Sequence, residues 1–158
     1  MTNILVTYFS KTGNTQKMAE AVGEGVKQAN ANVDILSVDE IDDPGNLINY
    51  DGIIIGSPTY FGILATPIKK FIDDSIKVHG KLDGKIGGAF ASSGIQGGGA
   101  ESTVLSINQA LLVHGMVIPG FSKISHYGPV TIGAPDDRAI SECKQLGERV
   151  ATLADTVN

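Results

Sequence analysis

The chain has 158 residues, 42% of them apolar and 18% charged, an ordinary composition for a folded domain long enough to bury a full core. With a formal net charge of −5 the electrostatic footprint of a nucleic-acid binder is not expected, no run is apolar for long enough to span a bilayer, and the N-terminus lacks the basic lead of a signal peptide. One cysteine, Cys143, excludes an internal disulfide and fits a reducing compartment, so a cytoplasmic protein is expected.

Ile4-Leu5-Val6-Thr7-Tyr8-Phe9 is a short run of apolar, β-branched and aromatic side chains and predicts a buried strand. Met18, Val22 and Val26, spaced four apart, predict a helix after it. Between the two lies Ser10-Lys11-Thr12-Gly13-Asn14-Thr15, which is hydroxyl and amide side chains around one glycine and one lysine. A strand, a tight polar loop and a helix N-terminus make an anion site, because first-turn amides lack intrahelical partners and the dipole is positive there. Ser10, Thr12, Asn14 and Thr15 add donors and Gly13 lets the backbone approach, which reads as a phosphate cradle. The Gly-Lys-Ser/Thr ending of an ATP loop and the three spaced glycines of a dinucleotide loop are both missing. Taken alone, the loop also fits a plain polar turn that caps a helix.

Residues 33–38 predict a second strand. The acidic segment 39–50 is broken at Pro44-Gly45, with Leu47 and Ile48 for one helical turn. Gly52-Ile53-Ile54-Ile55-Gly56 predicts a third strand, buried on both faces, which ends in the loop Ser57-Pro58-Thr59-Tyr60-Phe61-Gly62. Thr66-Pro67 reads as an N-cap and first helical position, with Ile68, Phe71, Ile72 and Ile76 as the inward stripe. Residues 86–91 predict a fourth strand, followed by Ser92-Ser93-Gly94-Ile95-Gln96 and Gly97-Gly98-Gly99. The next helix turns Val104, Ile107, Leu111 and Leu112 inward. Residues 116–119 predict a short fifth strand, with 130–132 extending that edge. The last helix starts near Asp137 and buries Ile140, Cys143, Val150 and Leu153.

Strands alternating with helices imply right-handed crossovers and an α/β fold, a five-stranded parallel sheet covered on both faces in the order 2-1-3-4-5. The loops after strands one, three and four then adjoin at the carboxyl ends, where such sheets bind ligands. Tyr60 and Phe61 offer walls for a flat ring, and the loop 92–97 offers backbone donors and little bulk. Their plain readings are a locally packed turn and a flexible loop. His114 falls in the last turn of a helix, where a cap is its plain reading. His79 and His126 read as solvated surface, Cys143 as inert core, and no metal cluster is expected.

The run from Tyr8 to Ala19 resembles the FMN-phosphate signature of flavodoxins. Pro58-Thr59-Tyr60-Phe61-Gly62, Lys69-Lys70-Phe71-Ile72-Asp73, Ser93-Gly94-Ile95-Gln96-Gly97-Gly98-Gly99-Ala100-Glu101, His114-Gly115-Met116-Val117-Ile118 and Tyr127-Gly128-Pro129-Val130-Thr131-Ile132-Gly133 resemble the NAD(P)H:quinone oxidoreductases of the WrbA type. The resemblance implies a flavodoxin-like domain over 1–158. Its FMN would contact Ser10, Lys11, Thr12, Gly13, Asn14, Thr15, Pro58, Thr59, Tyr60, Phe61, Gly62, Ser92, Ser93, Gly94, Ile95, Gln96, Gly97 and His114. It also implies that FMN rather than a side chain carries the chemistry, with NADH or NADPH as donor, a quinone or other small molecule as acceptor, and a homo-oligomer as assembly. The chain departs from the family in its short connection from Val38 to Gly52, where members usually carry an insertion associated with tetramers, and in having no tryptophan. The alternative is a flavodoxin proper, carrying single electrons between redox protein partners. Such carriers commonly cover the ring with aromatics from both loops and are strongly acidic; the loop 92–99 holds no aromatic and the net charge is only −5.

Overall fold

Residues 1–157 are described by a computed structural model. In chain order its elements are β1 (Asn3–Tyr8), α1 (Asn14–Gln28), β2 (Asn32–Ser37), β3 (Gly52–Tyr60), β4 (Ile63–Leu64), α2 (Thr66–Asp74), β5 (Ile86–Ser93), α3 (Ala100–Val113), β6 (Val130–Ile132) and α4 (Asp137–Val157). The sheet runs β2-β1-β3-β5-β6, all parallel, with β4 paired antiparallel to β3 off that path. With β4 set aside, this is the expected order of five.

The period of two along each central strand sorts its side chains between two cores. Ile4, Val6 and Ile54 join Met18, Val22 and Val26 of α1 and Cys143, Leu146 and Val150 of α4 on one face. Leu5, Ile53 and Ile55 join Ile68 and Phe71 of α2 and Val104, Ile107 and Leu111 of α3 on the other. The helices α1 and α4 approach at backbone distance, because a Cβ on Gly25 would strike the Lys144 carbonyl and one on Gly147 the Val22 carbonyl.

Four expectations shift. The fifth sheet position is divided: Val117 makes a single bridge to Ile86 at one end, and β6 pairs with Ala91–Ser93 at the other. Pro119 has no amide to continue the first segment, so the chain leaves the sheet and returns eleven residues later. Ala65, not Thr66, is the N-cap of α2, one position earlier than the Thr-Pro pair predicts. Ile76 and Leu112, placed inward by spacing, are 70% and 57% exposed, Ile76 because α2 gives way to a 3₁₀ turn at Ser75. Finally, β3 and β5 run on to Tyr60 and Ser93, so Pro58, Thr59, Ser92 and Ser93 are strand residues rather than loop.

Candidate functional site

The loop after β1 closes on itself. Gly13 stands at φ +94° as the N-cap of α1, and its amide donates to Ser10 Oγ at 3.1 Å. No side chain caps the helix and no acidic residue lies in its first turn. The Lys17 amide returns to the Gly13 carbonyl, whereas those of Asn14, Thr15 and Gln16 have no acceptor among the described residues. An uncapped N-terminus with free amides suits an external anion.

Thr15 is buried and its Oγ1 lies 2.8 Å from Ser92 Oγ, which ties this loop to β5. Beyond Ser93 the glycine-rich loop is held by hydrogen bonds from Ser93 Oγ and the Gly98 amide to the Ile95 carbonyl. The Gly133 amide, just after β6, donates to the Ser93 carbonyl. Ile95 is 70% exposed.

Thr59 and Tyr60 pair with Leu64 and Ile63, so the expected loop is instead a hairpin turning on Phe61-Gly62. Both turn residues have positive φ, +51° and +82°, the requirement of a tight hairpin whose twist matches its strands. Phe61 therefore projects with its side chain fully exposed. Ser57 Oγ braces the hairpin by accepting from the Ala65 amide at 2.9 Å and donating to the Pro58 carbonyl at 2.7 Å.

Adjacent strands bring these three loops side by side at one end of the sheet. A Cβ on Gly13, Gly62, Gly94 or Gly97 would meet nothing within 4 Å, so the backbone there borders open space. Residues 10–15, 58–62 and 92–97 contain no aspartate or glutamate in a chain that has 17. The chemistry of the three loops suits a flat anionic ligand: unclaimed amides for the charge, exposed aromatics, and bare backbone.

His114 is the one predicted site residue that the fold carries away. It caps the C-terminus of α3, about 20 Å along that helix from the glycine loop. Its Nε2 lies 2.8 Å from Ser75 Oγ, whose single proton goes to the Ile72 carbonyl, so Nε2 must be the donor. Nδ1 is then a bare acceptor, buried without a partner. Burial, with His79 adding to it, holds the imidazole pKa below its ordinary value. Cys143 is buried, and burial pushes its thiol up to about 12.

Sequence reasoning missed Ser57 and Thr103. Thr103 Oγ1 donates to the Gly99 carbonyl and stands 3.0 Å from Thr59 Oγ1. Its place three residues inside a helix gives no sign of a link to another loop.

Residues 5–109 match the family described as the flavodoxin domain. Among curated proteins, the chain is 34% identical to an NAD(P)H dehydrogenase (quinone) of Archaeoglobus fulgidus and 37% identical to one of Gluconacetobacter diazotrophicus, covering 98% of each chain in both cases. It is 38% identical to a flavodoxin of Aquifex aeolicus, over 96% of this chain and 86% of that one. The alignment to the Archaeoglobus protein runs over 188 positions against the 158 residues here, whereas the Aquifex alignment runs over 160. Among solved structures, a flavodoxin described as a WrbA-like protein, from Agrobacterium tumefaciens, is 29% identical with a TM-score of 0.81 over the whole of both chains. An archaeal flavodoxin is 30% identical with a TM-score of 0.80 over 97% of this chain and 99% of that one.

Proposed function

The chain belongs to the flavodoxin domain family, and from that premise we propose that it is an FMN-binding redox protein that takes a hydride from NAD(P)H and passes electrons to a quinone or other small acceptor. The free amides of Asn14, Thr15 and Gln16, with the Ser10 and Thr12 hydroxyls and the Asn14 amide group, would hold the phosphate. Tyr60 and Phe61 would wall the ring on one side, and the backbone of Gly94 to Gly97 would meet its polar edge. FMN bound there supplies hydride acceptance and electron release. Apart from Lys11 and Tyr60, these loops carry no titratable side chain, so protons come from water through the open side. A lone buried thiol and a nicotinamide donor fit the cytoplasm. None of the described helices is long and apolar enough to cross a membrane.

The observation that carries the enzyme reading is the loop from Gly94 to Gly99. Its only large side chain is Ile95, exposed and not aromatic, which leaves one ring face uncovered for a nicotinamide. The second reading, a one-electron carrier, is favoured by the Aquifex alignment, which needs almost no extra length. Anaerobic mixing separates them. NADH or NADPH bleaches the flavin absorbance if the enzyme reading holds. Bleaching by dithionite alone replaces it with the carrier.

A further inference from the structure

We propose that Thr103, outside every loop assigned to the cofactor, is a positioning residue that latches the β3–β4 hairpin to the glycine-rich loop and so fixes the position of one against the other. The latch is read from the protein alone, and only its effect on ligand affinity rests on the FMN reading.

Thr103 is completely buried. Its hydroxyl donates to the Gly99 carbonyl one turn back, at 3.0 Å. That bond by itself is a common habit of threonine and serine in helices. Ser106 and Thr156 do the same here on exposed helix faces, to the carbonyls of Ser102 and Thr152, without any partner from another element. Thr103 differs in having Thr59 Oγ1 at 3.0 Å, from the β3 arm of the hairpin. A hydroxyl has one proton. Because that of Thr103 is spent on Gly99, Thr59 must be the donor, and the chain of bonds runs Thr59 to Thr103 to the Gly99 carbonyl.

A second contact lies beside the first. A Cβ on Gly99 would fall 2.6 Å from the Gly62 carbonyl oxygen and 2.7 Å from Gly62 Cα, so the two loops touch backbone to backbone. The hydrogen-bond chain fixes the Gly99 peptide in the orientation at which this contact closes. The hairpin and the glycine-rich loop therefore move as one unit. One consequence is chemical: with its proton committed, the Thr59 hydroxyl offers a ligand lone pairs only.

The test compares Thr103→Val, Thr103→Ser and Thr59→Val by amide hydrogen exchange in the FMN-free protein and by fluorescence titration with FMN. Thr103→Val is expected to speed exchange about tenfold in both segments, 59–64 and 94–99, and to weaken FMN binding by about tenfold, the effect of one buried hydrogen bond. Thr103→Ser keeps the hydroxyl and should restore both. Thr59→Val leaves the bond to Gly99 intact and should still loosen both segments, which keeps the latch testable if Thr103→Val does not fold. Faster exchange confined to residues 97–101 reduces Thr103 to an ordinary helix back-bond and overturns the proposal. Coupled loosening with unchanged FMN affinity overturns the positioning role. Failure of the unsubstituted protein to bind FMN overturns the cofactor reading instead, and the exchange data still decide the latch.

Discussion

Thr12 and Thr15 sit in one loop under different constraints. Thr12 is exposed with no partner among the described residues, whereas Thr15 is buried against Ser92. Thr12→Val is expected to weaken FMN by about 1.5–3 kcal/mol, a charge-assisted bond, and to leave the thermal midpoint of the FMN-free protein unchanged. Thr15→Val should lower both, since it also strands the Ser92 hydroxyl, at about 1–3 kcal/mol. Titration and thermal unfolding of the two variants check the contrast, and a stability loss in Thr12→Val would contradict it. Glycines divide in the same way. Gly62→Ala adds a methyl to open space and costs only the left-handed backbone, about 1–2 kcal/mol. Gly99→Ala adds the same strain plus a collision with the Gly62 carbonyl and should be clearly worse in denaturant unfolding. At His114 the sign follows from the depressed folded pKa. As pH falls below about 6.5 the unfolded ring takes its proton first, so stability drops until the folded ring also protonates. His114→Asn, which keeps a donor near Ser75, should shrink the fall in thermal midpoint between about pH 7.5 and 5. The uncapped helix start and the hydroxyls of residues 10–15 are legible because they follow from the local sequence. His114 and Thr103 are not, since their partners are set by where α3 ends and what lies across it.

At the level of elements, the periodic signals translate well and the edges do not. The alternation Ile53-Ile54-Ile55 and the stripe Val104-Ile107-Leu111 report burial that every copy of the fold needs, and both are found. The hairpin at Phe61-Gly62 hides because a phenylalanine at positive φ is not a turn signal, and only Gly62 hints at it. The divided fifth position hides because pairing there depends on which segment reaches Ser93, a long-range question that no local run answers. The loop between β5 and α3 carries the next prediction. Ile95→Trp would lay an indole over the open face of the site. Reduction by NADH or NADPH should then stop while FMN stays bound and dithionite still bleaches it. Loss of dithionite reduction as well would mean that the substitution had damaged the site rather than filled it.

For the molecule as a whole, charge is arranged so that the three loops are free of carboxylates on an acidic body. The chain carries −5 overall, while the three loops hold Lys11 and no carboxylate. That arrangement would tolerate the phosphate of FMN, whose charge Lys11 and the uncapped start of α1 would meet in the proposed binding mode. Once the phosphate is in place, Lys11 is outweighed, and the three loops hold no other cation for a second anion. Lys69 and Lys70, on the first turns of the helix behind the hairpin, are each already paired with an aspartate one turn on, Asp73 and Asp74. A nicotinamide dinucleotide therefore approaches against like charge, and salt should help it. Between about 10 and 200 mM salt, as the screening length contracts from roughly 30 Å to below 10 Å, the second-order rate of flavin reduction by NADPH is expected to rise and then level off. A basic redox protein would show the opposite slope, faster at low salt, because steering is lost as charges are screened. Stopped-flow reduction across that range reads the sign directly. A rate with NADPH that falls with salt would contradict this charge arrangement.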